Sequence, residues 1–120
     1  MKKIALIDDE PTISNLYSQI LGEEFSVVTA FNGKEGLDLI EKEKPDLIMV
    51  DIRMPEMDGL EMIKALKAKG QMEMPVLVLT NLVEDEKVAE AIELGVKDYI
   101  AKDKVTGQAV LDKVKEFIKD

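Results

Sequence analysis

Two rhythms of apolar and polar positions alternate along the chain. Short, nearly continuous apolar runs occur at Lys3–Ile7, Phe25–Thr29, Leu47–Val50, Val76–Leu79 and Val96–Ala101. Between and after them, apolar residues recur at helical spacing: Ile13, Leu16, Tyr17, Ile20 and Leu21; Leu37, Leu39 and Ile40; Leu60, Met62, Ile63 and Leu66; Val88, Ala91, Ile92 and Leu94; and Ala109, Val110, Leu111, Val114, Phe117 and Ile118. The first rhythm predicts buried strands and the second predicts amphipathic helices. Punctuation agrees with the division. Pro11 suits the first turn of a helix, Asn32-Gly33 reads as a turn, the second helix stops before Pro45, and Gly70 and Gly95 close the third and fourth helices.

Five strands alternating with five helices argue for parallel βαβ units. Strands that are apolar throughout fit a sheet covered on both faces. With right-handed crossovers, the leading topology is an α/β doubly wound sheet, which binds its ligands beyond the carboxyl ends of the strands. That rule selects the residues to inspect. Asp8, Asp9 and Glu10 follow the first strand, Asp51 the third, Thr80 the fourth and Lys102 the fifth. Thr29-Ala30-Phe31, at the end of strand two, reads as packing and turn.

Each of these residues alone has an ordinary explanation. Asp8-Asp9-Glu10-Pro11 could cap a helix, Asp51 could be a turn acid, Thr80 could end a strand, Lys102 could be a surface lysine, and Asp58-Gly59 is a turn signal that supplies an N-cap. The set says more. A carboxylate placed directly against the apolar run Leu47–Val50 is costly unless compensated. Several acids at one edge repel when ionised, which raises their pKa values or demands a cation. Oxygen ligands suit Mg²⁺. A lysine and a hydroxyl opposite that metal would clamp a phosphoryl group, and phosphoryl transfer needs chiefly positioning and charge neutralisation. A carboxylate can be the nucleophile, giving an aspartyl phosphate. Asp51, at the end of the most apolar strand, is the leading candidate.

Composition narrows the chemistry. The 120 residues fit one domain and, at 46% hydrophobic, bury one core. There is no cysteine, so disulfides and thiolate chemistry are excluded, and no histidine, so a phosphohistidine must belong to another protein. A net charge of −9 argues against direct nucleic-acid or anionic-membrane binding. Short apolar runs and no signal peptide point to a soluble cytoplasmic protein.

With these residues in view, the chain resembles a response-regulator receiver domain of two-component signalling, of the stand-alone chemotaxis-regulator type. The resemblance rests on Leu6-Ile7-Asp8-Asp9-Glu10, on Asp51-x-x-Met54-Pro55-x-Met57-Asp58-Gly59, on Leu77-Val78-Leu79-Thr80 and on Gly95 to Lys102, in matching order and spacing. It implies a flavodoxin-like (βα)5 fold with strand order 2-1-3-4-5, and a single receiver domain over residues 1–120. It also implies that Asp51 accepts the phosphoryl group. Asp9 binds Mg²⁺, helped by Asp8 through water, by Asp51 and by the backbone carbonyl of Arg53. Thr80 and Lys102 contact the phosphoryl group, and Thr80 and Tyr99 form the switch, although a tyrosine near the end of an edge strand is ordinarily plain packing. The implied partners are a sensor histidine kinase or histidine phosphotransfer protein and a downstream protein target, met through the fourth helix, fifth strand and fifth helix. A phosphorylation-dependent dimer is compatible with this. Such a domain is a phosphoacceptor that assists its own phosphorylation and autodephosphorylation rather than an enzyme. With the chain ending at the fifth helix, no output domain is expected within it.

Two positions depart from the family pattern. Asp103 follows Lys102 where the family usually has a proline after a cis peptide. A cis bond before a non-proline residue costs about 2.5–4 kcal/mol, so a trans bond is expected. Asn81 stands after Thr80 where a small residue is usual, and altered dephosphorylation is expected from it. Three other readings compete. A haloacid-dehalogenase-type phosphatase would need a second aspartate where Arg53 stands. A flavodoxin would need a hydroxyl- and glycine-rich phosphate loop where Asp8-Asp9-Glu10 stands. A receiver-like module that only binds proteins typically loses an acidic residue or the lysine, and none is missing here.

Overall fold

The apolar runs become strands and the periodic segments become helices in the computed structural model, which describes residues 1–81, 85–102 and 106–118. The elements are β1 (Lys3–Ile7), α1 (Pro11–Gly22), β2 (Ser26–Ala30), α2 (Gly33–Glu43), β3 (Leu47–Asp51), α3 (Gly59–Ala68), β4 (Val76–Thr80), α4 (Glu86–Glu93), β5 (Asp98–Ala101) and α5 (Gly107–Phe117). The strands form one parallel sheet in the order β2-β1-β3-β4-β5. The flavodoxin-like order is therefore present, with β3 in the centre.

Alternation within each strand builds two cores. Ile4 and Leu6 of β1, Leu47 and Met49 of β3, and Leu77 and Leu79 of β4 pack with Tyr17 and Leu21 of α1 and Val110 and Val114 of α5. Ala5 and Ile7, Ile48 and Val50, and Val76 and Val78 point the other way, against Ile40 of α2, Leu60, Met62, Ile63 and Leu66 of α3, and Val88 and Ala91 of α4. Because successive side chains leave opposite faces of a strand, a strand buried on both sides must be apolar at every position. All five residues of β3 and of β4 are buried. Among the described residues, no helix is long and apolar enough to cross a membrane.

Several local expectations change. The second strand begins at Ser26 and reaches Ala30, while Phe25 is buried and donates its backbone N–H to Leu21, closing α1. The fifth strand starts at Asp98 rather than Val96. Gly95 turns the chain at φ +113, and Val96 is buried as a loop residue, with its N–H on the Ala91 carbonyl. Asn32-Gly33 is not a free turn. Asn32 is the N-cap of α2, its side chain accepting from Glu35 N at 2.9 Å, and Gly33 N donates to the Met57 carbonyl at 2.9 Å. Leu16 and Ile92, apolar at helical spacing, are nearly half exposed.

Asp58-Gly59 is likewise more than a turn. Asp58 caps α3 in a full capping box with Glu61. Gly59 lets α3 approach the end of β3, since a Cβ there would lie 2.3 Å from the Asp51 carbonyl oxygen. The site strand and the helix after it meet at backbone distance.

Candidate functional site

The order of the sheet fixes where a site can form. Connections leave β1 towards β2 on one side and β3 towards β4 on the other, so a crevice opens beyond the carboxyl ends of β1 and β3. Asp8 follows β1 directly and Asp51 ends β3. Asp8 is fully buried and Asp51 is 5% exposed. Lys102, beyond β5, continues the sheet through its N–H to the Thr80 carbonyl, and its ammonium is turned inward.

That ammonium is shared. Lys102 Nζ lies 2.8 Å from Glu10 Oε1, 2.9 Å from Asp8 Oδ2 and 3.1 Å from Asp51 Oδ2. The contacts to Glu10 and Asp51 have hydrogen-bond geometry. The Asp8 contact is close but poorly directed, and among the described residues Asp8 Oδ2 has no hydrogen-bond partner despite its burial. Asp8 Oδ1 accepts from Glu10 N at 2.9 Å, and Asp51 Oδ1 accepts from Arg53 N at 3.3 Å, a long bond. Carboxylate oxygens of Asp8, Asp9, Glu10 and Asp51 all lie within 4.8 Å of one another.

Electrostatics follow from this crowding. Burial pushes Asp51 up to about 7, Asp8 beside it adds repulsion, and the attraction of Lys102 only partly offsets them. Asp8 is raised as well, chiefly by burial. Burial opposes the charge on Lys102, but hydrogen bonds to Glu10 and Asp8 and the attraction of Asp51 outweigh it, so its pKa rises and it stays an ammonium. A buried acid held near 7 and an underbonded buried carboxylate oxygen both describe a pocket short of positive charge. The donor set, all oxygen and mostly carboxylate, fits Mg²⁺.

The other candidates fall around the pocket. Thr80 ends β4, is buried, and pairs in register with Ala101. Tyr99 sits on β5 opposite Val78 and is 39% exposed, at the protein surface rather than in the pocket. Asn81 is exposed. Asp103, with the expected trans bond before it, lies outside the described residues. A broad groove of about 860 Å³ at the opposite, amino-terminal edge of the sheet, lined in part by Lys44, Pro45, Asp46 and Pro75, contains none of these residues.

Two features are not evident from the sequence. Glu10 joins the cluster and contacts Lys102, although the sequence gives it no role of its own. Its signal is Pro11, which fixes the start of α1 and makes Glu10 the cap position, yet Glu10 makes no side-chain cap bond. Arg53 enters the sequence reading only through its carbonyl. Its guanidinium grips Asp85, the N-cap of α4, with Nε–Oδ2 at 2.7 Å and Nη2–Oδ1 at 2.9 Å. Lys87 of α4 in turn pairs with Asp58.

Known proteins agree with this geometry. The sequence matches the response regulator receiver domain family over residues 4–115, and the chain belongs to that family. It is 40% identical over 102 residues, 84% of this chain and 42% of the relative, to the alkaline phosphatase synthesis transcriptional regulatory protein PhoP of Bacillus subtilis. The fold is similar to that of the chemotaxis protein CheY4 of Vibrio cholerae, with TM-score 0.90 and 29% identity over 98% of this chain and 99% of the other. It is also similar to the BeF3-activated receiver domain of Klebsiella pneumoniae RstA, with TM-score 0.87 and 30% identity over 98% and 99% of the two chains. The chain spans less than half the length of the curated relatives it matches. It is a receiver domain of two-component signalling, and members of that family are phosphoacceptor signalling modules. Receivers generally bind Mg²⁺ at an acidic pocket, and this chain has an acidic cluster at the corresponding edge of its sheet.

Proposed function

We propose that this receiver takes a phosphoryl group onto Asp51 from a phosphohistidine of a sensor kinase or phosphotransfer protein, and passes the signal to a target through its α4-β5-α5 face. One observation carries the reading: a buried Asp51 stands 3.1 Å from the buried ammonium of Lys102, inside a cluster of further carboxylates. With no histidine among these 120 residues, the phosphohistidine lies outside them.

Asp8, Asp9, Asp51 and the Arg53 carbonyl would hold the Mg²⁺ ion. When bound, the ion supplies positive charge that neutralises phosphoryl oxygens. The remaining work belongs to the chain. A carboxylate oxygen of Asp51 forms a bond to phosphorus as the donor's N–P bond breaks. The electron pair of that bond stays with the imidazole, which takes a proton from solvent. Lys102, fixed in its charged form, pairs with a phosphoryl oxygen, and the Thr80 hydroxyl donates to another. Thr80 moving inward frees space for Tyr99, whose half-exposed ring on β5 then changes the surface offered to the target. Water later attacks the same phosphorus, the Asp51 O–P bond breaks, and inorganic phosphate leaves as Asp51 returns to its carboxylate. All of this suits a protein working in the cytoplasm.

The test is intact mass after incubation with Mg²⁺ and acetyl phosphate. The parent gains one phosphoryl group, and Asp51→Asn gains none. Equal modification of both proteins would remove Asp51 from this role, and modification undiminished by chelation would remove the metal.

A further inference from the structure

Glu10 occupies a cap position without capping. Its backbone is extended at φ −95 and ψ 107, and Pro11 opens the helix immediately after it. Glutamate is a poor N-cap because its carboxylate overreaches the first turn. Here the carboxylate instead crosses to Lys102, 92 residues along the chain, at 2.8 Å, the shortest of the three carboxylate contacts to that ammonium. The two partners are unequally placed: the Lys102 side chain is 1% exposed and that of Glu10 is 49% exposed.

An ammonium has three N–H donors and no acceptor. Two of these donors go to Glu10 and Asp51 and the third faces Asp8 in the close, poorly directed contact, so a phosphoryl oxygen that approaches Lys102 competes with a carboxylate for the ammonium. Asp8 is fully buried and tied through Oδ1 to Glu10 N, and Asp51 is the reacting group. Glu10 alone of the three has its side chain half in water, on a long stem, and can regain hydration by one rotation.

We propose that Glu10 is an anion gate. In the resting receiver its carboxylate holds the place on Lys102 that a phosphoryl oxygen of the donor takes, and the donor must displace it. Glu10 is then a positioning residue, acting through Lys102, that sets how readily anionic phosphodonors enter. The inference rests on Asp51 being the acceptor.

Glu10→Gln tests this, because it keeps the length and a hydrogen-bonding oxygen while removing the charge. Three readouts are compared with the parent: the rate of phosphoryl gain against acetyl phosphate concentration, the affinity for Mg²⁺ alone by calorimetry, and the affinity for fluoroberyllate with Mg²⁺ by fluorine NMR. Removing a unit charge beside a partly solvated ammonium is expected to raise the apparent second-order rate and the fluoroberyllate affinity about three- to tenfold, with the gain in rate appearing as a lower KM for the donor. The Mg²⁺ affinity is expected to fall by less than about tenfold, since a neighbouring charge is lost but no ligand. The gain is expected to fade at about 1 M salt, where screening acts within about 3 Å.

A slower Glu10→Gln with Mg²⁺ affinity reduced tenfold or more would make Glu10 a metal ligand and overturn the gate. An unchanged donor rate and fluoroberyllate affinity would also overturn it. If the parent gained no phosphoryl group and neither protein bound fluoroberyllate, the phosphoacceptor reading would fail and the gate with it. Normal phosphorylation of the parent with no gain in the variant would sink the gate alone.

Discussion

Two ionic clusters adjoin at the carboxyl end of the sheet, and they use similar side chains to opposite effect. In the pocket, Lys102 is the ammonium that Asp8, Glu10 and Asp51 share among the described residues, and the two buried acids titrate high. Beside it, Arg53 pairs with Asp85 and Lys87 with Asp58, one cation to each acid. Each of those acids also caps a helix, Asp58 accepting from Glu61 N and Asp85 from Lys87 N. Burial works against the charge on Asp58, but the Lys87 hydrogen bond and the cap bond outweigh it, and its pKa falls. The Asp85 pKa falls chiefly through its hydrogen bond to Arg53. The lesson is that acids alone do not mark a site. Their balance against cations and N–H donors decides whether a cluster braces the fold or waits for something positive.

Removing the cation from the deficient cluster is the harshest test of that contrast. Lys102→Met keeps the buried stem and leaves Asp8 and Asp51 facing each other uncompensated. Losing one partner of a buried ionic group is expected to cost about 2–4 kcal/mol at pH 8 without Mg²⁺. The cost should shrink as pH falls towards 4, because both acids can then take up protons, and Mg²⁺ should recover much of it. Urea titrations at the two pH values, with and without Mg²⁺, measure this. Equal destabilisation at both would trace the loss to packing and erase the electrostatic distinction.

Next in size comes a substitution that should stabilise. Asp51 ionises at about 7 in the fold against 3.8 when free. The folded state therefore binds more protons than the unfolded one between those values, and stability falls as pH rises through that window. Ionised Asp51 costs nothing near pH 3 and its full amount above pH 7. Asp51→Asn removes that cost. The gain is expected to be about 1–3 kcal/mol at pH 8, less than the full shift implies because Asn loses part of the tie to Lys102. Thermal melts from pH 4 to 8 should show the two proteins diverging upward in pH, and Mg²⁺ should narrow the gap by stabilising the parent. A pH-independent difference would mean that Asp51 is not held uncharged by its surroundings.

Much of this contrast is legible in the sequence. Strands buried on both faces read as apolar runs, so Ile7, Val50 and Leu79 announce where polar chemistry begins, and the order of the elements places Asp8, Asp51, Thr80 and Lys102 at one edge. What escapes depends on contacts far apart in sequence. Arg53 and Asp85 are 32 positions apart and Glu10 and Lys102 are 92 apart, and no local pattern pairs them. Val96 reads as strand because it is apolar, although its burial comes from loop packing after Gly95. Asn32-Gly33 reads as an isolated turn because the Met57 carbonyl that Gly33 meets belongs to another loop. Leu16 and Ile92 obey helical spacing yet face outward, since periodicity identifies an apolar stripe without saying what covers it.

The balanced cluster supplies the smallest effect and the opposite pH sign. Asp58→Ala removes the N-cap of α3, half of its capping box and the partner of Lys87. Loss of such a cap is expected to cost about 1–1.5 kcal/mol at pH 7, with little from the partly exposed ion pair. The folded pKa of Asp58 lies below its free value of 3.8. Its stabilisation is therefore complete above that free value and is lost as pH falls through the folded one. The Asp58→Ala deficit should then stay level from pH 8 to about 5 and shrink only in strong acid, below the window in which Asp51→Asn and its parent converge. Melts on the same pH grid would place the two substitutions on one axis with opposite signs. If the Asp58→Ala deficit instead grew as pH fell from 8 to 5, Asp58 would belong with the acids that lack a cation, and the division between brace and pocket would not hold.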